Sequence, residues 1–272
     1  MSRPLTIDLC RCGLSAPGLV DWEAALPVLR GELAYKPSVL EKPGLKHLPP
    51  GDHRRYTFAI ALAVTTAMAA VKLEGAEQIP AVFACSGGDT DVINRLCTAL
   101  MQPGCPVSPQ QFVNSVHNAP AGYWSIAERN NAPTMSLSAY DASFAAGLIE
   151  AAVQIHAGRQ KVLLIAYDVP APMPLWPFRP LSAPFAVAML LTAPGVDDDA
   201  LARLELRLGS GASGEQAAET VLDRPELESL RLGNPAARSL PILEVIACRR
   251  TADLTLASVP PQHLQVRIDP CC

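Results

Sequence analysis

The spacing of apolar residues divides the chain into predicted strands and helices. Leu5, Ile7 and Leu9 alternate with more polar neighbours, which predicts a strand over residues 4–10. Short apolar runs or alternating stretches predict the remaining strands, at residues 79–86, 134–139, 161–168, 185–192, 201–208, 254–257 and 264–268. Helical spacing predicts helices at residues 54–73, 90–101 and 142–157, a short one opening at Ser108-Pro109, and two more within 223–247.

Strands and helices alternate along most of the chain, a pattern typical of α/β proteins. It predicts an α/β fold with a mostly parallel sheet. No internal repeat and no low-complexity linker interrupts the pattern, so residues 1–272 are expected to form a single domain.

The predicted helix 142–157, ASFAAGLIEAAVQIHA, is apolar on nearly every face; Glu150, Gln154 and His156 are its main interruptions. A helix that is apolar all round is buried on all sides. We therefore expect this helix to need cover from more than one direction, and a partner subunit is the natural candidate for part of that cover.

Composition narrows the class of partner. Hydrophobic residues make up 49% of the chain and charged residues 18%, which favours a buried subunit interface. The net charge is −4 and no cluster of Lys and Arg is present, so nucleic acid is not an expected partner.

Eight cysteines are scattered along the chain, and we interpret them as reduced thiols of a cytoplasmic protein. Cys10-x-Cys12 lacks the second pair that a structural zinc site needs, so neither a metal nor another cofactor is expected. No apolar run resembles a signal peptide or a membrane span.

The stretch SAYDASFAAGL, residues 138–148, predicts a strand that runs directly into a helix. The helix dipole stabilises an anion at such a turn, which is where many nucleophilic enzymes place Ser or Cys. Here the residue is Tyr140, whose ordinary pKa near 10 makes it a poor nucleophile at neutral pH.

Two segments carry a family resemblance: SVHNAPAGYWSIAERNNAP (115–133) and SLSAYDASFAAGLIEAAVQIHAGRQKVLLIAYD (136–168). With FRPLSAPFAVAMLLT (178–192), they resemble the N-terminal half of β-ketoacyl synthases of the thiolase-like superfamily. They are especially similar to the short chain-length factors encoded with aryl polyene and related pigment pathways. The resemblance covers roughly residues 3–193 and implies a thiolase-like layered fold. Residues 194–272 would form a shortened C-terminal part.

The resemblance also implies lost catalysis. Active synthases carry Thr-Ala-Cys at this turn, and Ser138-Ala139-Tyr140 takes its place here. The family's two catalytic histidines lie in its C-terminal half, one in a His-Gly-Thr-Gly-Thr motif that this chain lacks. After Tyr140 the only histidines are His156 and His263. No catalytic residue is therefore expected.

The resemblance therefore implies a catalytically silent subunit that pairs with an active ketosynthase and binds an acyl carrier protein. Its pseudo-active site or tunnel would contain Ser138, Tyr140, Asp141 and Phe144. The expected partner interface comprises Ser115, His117, Asn118, Tyr123 and Trp124.

Alternative interpretations stay open at this point. Cys85, which ends a predicted strand before Gly87-Gly88, or Ser138 would serve a stand-alone acyl transferase or thioesterase. Ser138, His117 and Asp141 form a weaker triad hypothesis, because no Gly-x-Ser-x-Gly sequence is present. A homodimeric acyl-binding protein is the other rival.

Overall fold

A computed structural model describes residues 3–45, 55–71, 78–210 and 218–271. Its strands are β1 (Leu5–Ser15), β2 (Ala81–Ala84), β3 (Thr134–Leu137), β4 (Lys161–Asp168), β5 (Phe185–Thr192), β6 (Ala202–Ser210), β7 (Ala252–Ala257) and β8 (Gln262–Pro270). Its helices are α1 (Trp22–Leu29), α2 (Phe58–Val71), α3 (Thr90–Leu100), α4 (Pro109–Asn114), α5 (Ala119–Ala127), α6 (Ser143–His156), α7 (Pro225–Gly233) and α8 (Leu240–Ala247). A 3₁₀ turn, Tyr140–Ala142, precedes α6.

The eight strands form one sheet in the order β3-β2-β4-β5-β1-β6-β8-β7. Only β2 pairs in parallel, with β3 and with β4; the other five pairings among the described strands are antiparallel. The α/β prediction is confirmed, but the prediction of a mostly parallel sheet is wrong. A parallel connection needs a crossover, usually a helix, and the proline-rich loop 169–184 between β4 and β5 contains only one short 3₁₀ turn.

Helices cover both faces of the sheet. On one face, α2 and α5 pack over Phe83, Ile165 and Tyr167. On the other face, α1, α6, α8 and the turn 236–239 pack over Val82, Leu164 and neighbouring strand residues. Strands β4 and β5 are therefore buried on both faces, which explains their continuous apolar sequences.

Helix α6 is partly covered by its own chain. Eight of its 14 residues are buried, against the sheet and against the turn 236–239 of the C-terminal part. Gly147 allows the close approach, since a Cβ there would come within 2.8 Å of Leu164 and 2.9 Å of Ala84. Val153 is 46% exposed, so the helix is not buried on all sides within this chain, and cover by a second subunit stays a prediction.

Observed boundaries differ from the predicted ones mainly at element ends. Strand β1 extends to Ser15, well past residue 10. The helix predicted over 54–73 is observed over Phe58–Val71, and residues 54, 72 and 73 lie outside the described residues. Strands β4 and β5 begin and end where predicted.

Candidate functional site

The three parallel strands β2, β3 and β4 end at one edge of the sheet. Cys85 and Ser86 follow β2, Ser138 follows β3, and Asp168 is the last residue of β4. Ser138 donates a hydrogen bond from Oγ to the carbonyl oxygen of Ser86 (2.9 Å), which joins the two neighbouring strand ends. Carboxyl ends of parallel strands are the usual location of ligand sites in α/β sheets.

Tyr140 begins the turn between β3 and α6 in a left-handed conformation, with φ +54°. That conformation costs a non-glycine residue about 1–2 kcal/mol. The hydroxyl of Ser143 braces the turn: it donates to the carbonyl oxygen of Tyr140 (2.7 Å) and accepts from the amide of Ala139 (3.0 Å). A strained strand-to-helix turn of this kind exposes the nucleophile in other enzymes. Here it exposes a phenol, and Tyr140 is 60% exposed.

Arg179, from the loop 169–184, holds this turn from outside. Its guanidinium carbon lies 3.6 Å from the centroid of the Tyr140 ring, and its Nη2 donates to Asp141 Oδ1 at 2.7 Å. Most of the Arg179 side chain is buried, whereas about half of Asp141 is exposed. Asp141 therefore serves as an ion-pair partner rather than as a free carboxylate at the helix start.

Asp168 is a buried carboxylate that ties β2 to β4. Its Oδ1 accepts from the Ser86 amide (2.8 Å), the Ser86 hydroxyl (2.6 Å) and the Cys85 thiol (3.4 Å). Its Oδ2 is buried and has no hydrogen-bond partner among the described residues. Burial raises the pKa of Asp168 to about 6, and the hydrogen bonds from Ser86 oppose that rise.

Cys85 is buried beside this carboxylate. Burial, followed by the negative charge of Asp168, raises the pKa of the Cys85 thiol well above its ordinary value. A nucleophilic cysteine needs the opposite environment, with a nearby positive charge and solvent access. The hypothesis that Cys85 is a reactive thiol therefore finds no support in its surroundings.

The proposed triad is not assembled. Ser138 donates to Ser86, His117 Nε2 donates to the carbonyl oxygen of Cys85 (3.1 Å), and Asp141 pairs with Arg179. Each of the three groups is engaged with a different partner, so His117 does not act as a base on Ser138.

The two histidines that follow Tyr140 lie elsewhere. His156 Nε2 accepts from the backbone amide of Thr6 on β1 (3.0 Å). His263 is buried on β8 against Gly209, whose missing Cβ leaves the space that the imidazole ring fills. Neither imidazole hydrogen-bonds to the turn at Tyr140.

A pocket of about 560 Å³ lies between the turn and the C-terminal part. Residues 139–142 form one wall, and the opposite wall contains Glu219, Arg238 and residues 257–260. Phe144, which we expected in the tunnel, does not line it. Its ring is fully buried in the core, because position 144 lies on the face of α6 that packs against the sheet.

The residues expected at a partner interface separate into two groups. Ser115, His117, Asn118 and Tyr123 all retain some exposure on α4, α5 and their connection. Trp124 is 0% exposed and packs in the α2–α5 core, so the expectation that it contacts a partner directly is wrong. Tyr123 and Trp124 are adjacent on α5, and adjacent residues of a helix lie on different faces.

Three residues of the site were missed by sequence reasoning. Asp168 and Ser86 had a signal, because a polar residue that ends a buried apolar strand is positioned at a sheet edge. Arg179 had none: nothing in the loop sequence PMPLWPFRPLS indicates which distant residue it reaches.

Two further observations concern metal and membrane. In the described ranges, no three His, Cys, Asp or Glu side chains come together as a metal site. None of the helices described here combines the length and apolar character needed to cross a bilayer.

Comparison with known proteins gives the family. A family model described as "Beta-ketoacyl synthase, N-terminal domain" matches residues 30–231. A search of curated proteins finds no match.

Among solved structures, a chain from the complex of the ketosynthase ApeO with its chain length factor ApeC, from Xenorhabdus doucetiae, aligns with TM-score 0.71 and 24% identity, covering 97% of this chain and 99% of that one. A chain of the ishigamide ketosynthase/chain length factor aligns with TM-score 0.74 and 12% identity over 98% and 100% of the two chains. A β-ketoacyl synthase from Burkholderia phymatum aligns with TM-score 0.67 and 12% identity over 99% and 100%.

These structures share the mixed α/β, thiolase-like fold of this chain. The family match spans most of the sequence, from the residue that follows α1 to a point within α7, and includes the turn at Tyr140. The chain therefore belongs to the β-ketoacyl synthase N-terminal domain family.

Proposed function

We propose that this chain is a catalytically silent β-ketoacyl synthase homologue that pairs with an active ketosynthase. The observation that carries the proposal is the exposed Tyr140 on a strained strand-to-helix turn, the position where a synthase would present its nucleophile. The fold keeps the architecture of the catalytic turn while the side chain there is unsuited to attack a thioester near neutral pH.

The groups around the turn agree with lost condensation chemistry. A decarboxylative condensation needs a nucleophile and donors that stabilise the developing oxyanion. The guanidinium at the turn is occupied by the Tyr140 ring and Asp141, and His156 and His263 bond or pack elsewhere. Tyr140 thus lacks a neighbouring base in the described structure.

An exposed apolar surface supports pairing. Strand β3 lies at the edge of the sheet, and Met135 on it is exposed. Phe112 and Val116, on α4 and just after it, and Ile126 on α5 are also more than half exposed. Exposed apolar side chains beside an unpaired strand edge are a costly feature for a monomer and a usual feature of subunit interfaces.

In the proposed complex, the chain acts as a chain-length factor or stabilising subunit. The active ketosynthase supplies the catalytic residues and receives acyl groups from an acyl carrier protein. The likeness to chains from ketosynthase/chain length factor complexes supports this arrangement. We place its action in the cytoplasm, in aryl polyene, polyketide or fatty-acid-like biosynthesis.

Co-purification tests the pairing. The chain is expressed alone and together with a full-length ketosynthase, and stoichiometry is measured by light scattering after gel filtration. We expect a one-to-one complex and a poorly behaved isolated chain. An isolated chain that is soluble and homogeneous and does not bind the synthase would overturn the proposal.

Two variants sharpen the test. Phe112→Glu places a charge on the proposed apolar surface and should reduce complex formation about tenfold or more. Val39→Glu is the matched control, because Val39 is also exposed but lies outside α4, α5 and β3. Equal effects of the two variants would show that the surface is wrongly assigned.

The enzyme alternative makes a different prediction. Turnover of acyl thioesters by the isolated chain, abolished by Cys85→Ala or Ser138→Ala, would establish a stand-alone acyl transferase or thioesterase. The burial of Cys85 argues against it, and so do the hydrogen bonds that direct Ser138 to Ser86 and His117 to Cys85. A saturable fatty-acyl ligand in a stable homodimer would instead favour the acyl-binding alternative.

A further inference from the structure

The contact between Arg179 and Tyr140 joins parts of the chain that are far apart in sequence. Arg179 stacks on the ring, and the same guanidinium pairs with Asp141, the next residue of the turn. One side chain therefore contacts the exposed ring of Tyr140 and the carboxylate of the next residue in the turn.

The loop that presents Arg179 is braced internally. The amide of Arg179 donates to the carbonyl oxygen of Trp176 (3.1 Å), and the indole of Trp176 donates to the carbonyl oxygen of Leu181 (3.2 Å). Ser182 donates from its amide to the carbonyl oxygen of Gly233 on α7 (2.9 Å), which anchors the loop to the C-terminal part. The guanidinium is thus held by a supported loop.

The turn needs such an external support. The left-handed backbone of Tyr140 is disfavoured, and an exposed aromatic side chain would otherwise sample several rotamers. Strained conformations persist only when surrounding contacts over-determine them. Ser143 fixes the backbone on one side, and Arg179 is the contact that fixes the ring.

We propose that Arg179 is a positioning residue that holds the Tyr140 ring in one orientation for contact with the partner subunit. The proposal rests on the proposed function, because it takes the exposed ring as part of the surface that the ketosynthase meets. Arg179 acts through Tyr140: it removes in advance the cost of ordering that side chain on binding.

The contact of Arg179 with Tyr140 and Asp141 is tested in the isolated chain by hydrogen exchange of the amides of residues 139–143. Arg179→Met removes both the stacking and the ion pair and should speed exchange about tenfold. Arg179→Lys keeps a charge near Asp141 without the planar guanidinium, and should restore protection in part. Arg95→Met, which breaks the exposed Arg95–Asp91 pair on α3, is the control. Unchanged exchange in Arg179→Met would overturn the claim that Arg179 holds the turn at Tyr140.

The link to the partner is tested by a double-mutant cycle on the dissociation constant for the ketosynthase. Arg179→Met should weaken binding about threefold to tenfold when Tyr140 is present, and should have no further effect in a Tyr140→Ala background. An equal loss in both backgrounds would show that Arg179 does not act through Tyr140, and would overturn the positioning role.

Failure of this inference is distinguishable from failure of the proposed function. A wild-type chain that binds the synthase while Arg179→Met binds equally well overturns only the inference. A wild-type chain without affinity for the synthase overturns the proposed function and with it the partner role of Arg179. If Arg179→Met does not fold, Asp141→Asn, which removes only the ion pair, and Arg179→Lys carry both measurements.

Discussion

The ends of β2 and β3 lie side by side and differ in what they offer to solvent. Strand β2 is followed by Cys85, an intrinsically good nucleophile that is buried beside the Asp168 carboxylate. Strand β3 leads to Tyr140, a poor nucleophile that is exposed beside the Arg179 guanidinium. The solvent-exposed position carries a phenol instead of a thiol. The thiol of Cys85 is buried and lies beside a negative charge, which disfavours its reactive thiolate form. The comparison shows that neither residue type nor location alone predicts chemistry at a sheet edge.

The largest expected effect is slow chemical labelling of the Cys85 thiol at the end of β2. With iodoacetamide at pH 8, we expect Cys85 to react on the order of 1000-fold more slowly than the exposed Cys97, because its pKa is raised and solvent cannot reach it. Peptide mass spectrometry of the folded chain measures both rates. Comparable rates would show that the β2 end opens readily.

Tyr140→Cys brings a thiol to the exposed strand end. We expect residue 140 to label within about tenfold of Cys97, since the turn is open to solvent, and therefore far faster than Cys85. The isolated variant should still show no condensation of acyl and malonyl thioesters, because neither His156 nor His263 hydrogen-bonds to the turn. Condensation by this variant would contradict the assignment of the C-terminal part.

The buried carboxylate at the β2 end should make stability depend on pH. The pKa of Asp168 is raised to about 6 in the folded chain, above an unfolded value near 3.9. The folded state therefore binds the proton more tightly than the unfolded chain does. The free energy of unfolding should fall by about 3 kcal/mol in all as pH rises from about 3 to about 7, with about 2 kcal/mol of the fall between pH 4 and pH 6.

Denaturant titrations of wild type and Asp168→Asn across pH 4–7.5 measure this contribution. The difference between the two proteins should carry the fall, since the amide does not titrate. A pH-independent difference between wild type and Asp168→Asn would mean that the hydrogen bonds from Ser86 fully offset desolvation and leave the pKa of Asp168 unchanged by folding.

The smallest effect concerns the strained backbone at the β3 end. Tyr140→Gly and Tyr140→Ala both remove the ring, but only glycine accepts φ +54° without steric cost. After the greater chain entropy of glycine in the unfolded state is subtracted, we expect Tyr140→Gly to be more stable by about 0.5–1 kcal/mol. Equal stabilities by urea denaturation would indicate that the turn relaxes once the ring is gone.

Local sequence patterns were informative where burial is uniform along an element. Strands β4 and β5 are apolar throughout because both their faces are covered, and their predicted limits agree with the structure. Helix α3 begins where Asp89 caps it, and its side chain accepts from the amide of Val92. The turn at Tyr140 was also predictable, because a strand pattern meets a helix pattern there.

Patterns failed where the answer depends on what packs against an element. The apolar helix α6 was expected to be buried on all sides, yet the sheet and the turn 236–239 cover only part of it and Val153 is exposed. Trp124 was expected at a partner surface, yet its position on α5 faces the core under α2. Apolar character alone did not show which side of either helix is covered.

The sequence by itself determined which residues occupy the strand ends, which segments are strands or helices, and that position 140 carries a phenol. The tertiary structure alone decided that β5 runs antiparallel to β4, that Cys85 lies beside Asp168, and that Arg179 reaches Tyr140. The physical reason is range. The spacing of apolar residues shows which face of a single helix or strand is buried. Strand order, the proximity of charges and solvent access to a side chain arise from contacts between residues distant in the chain.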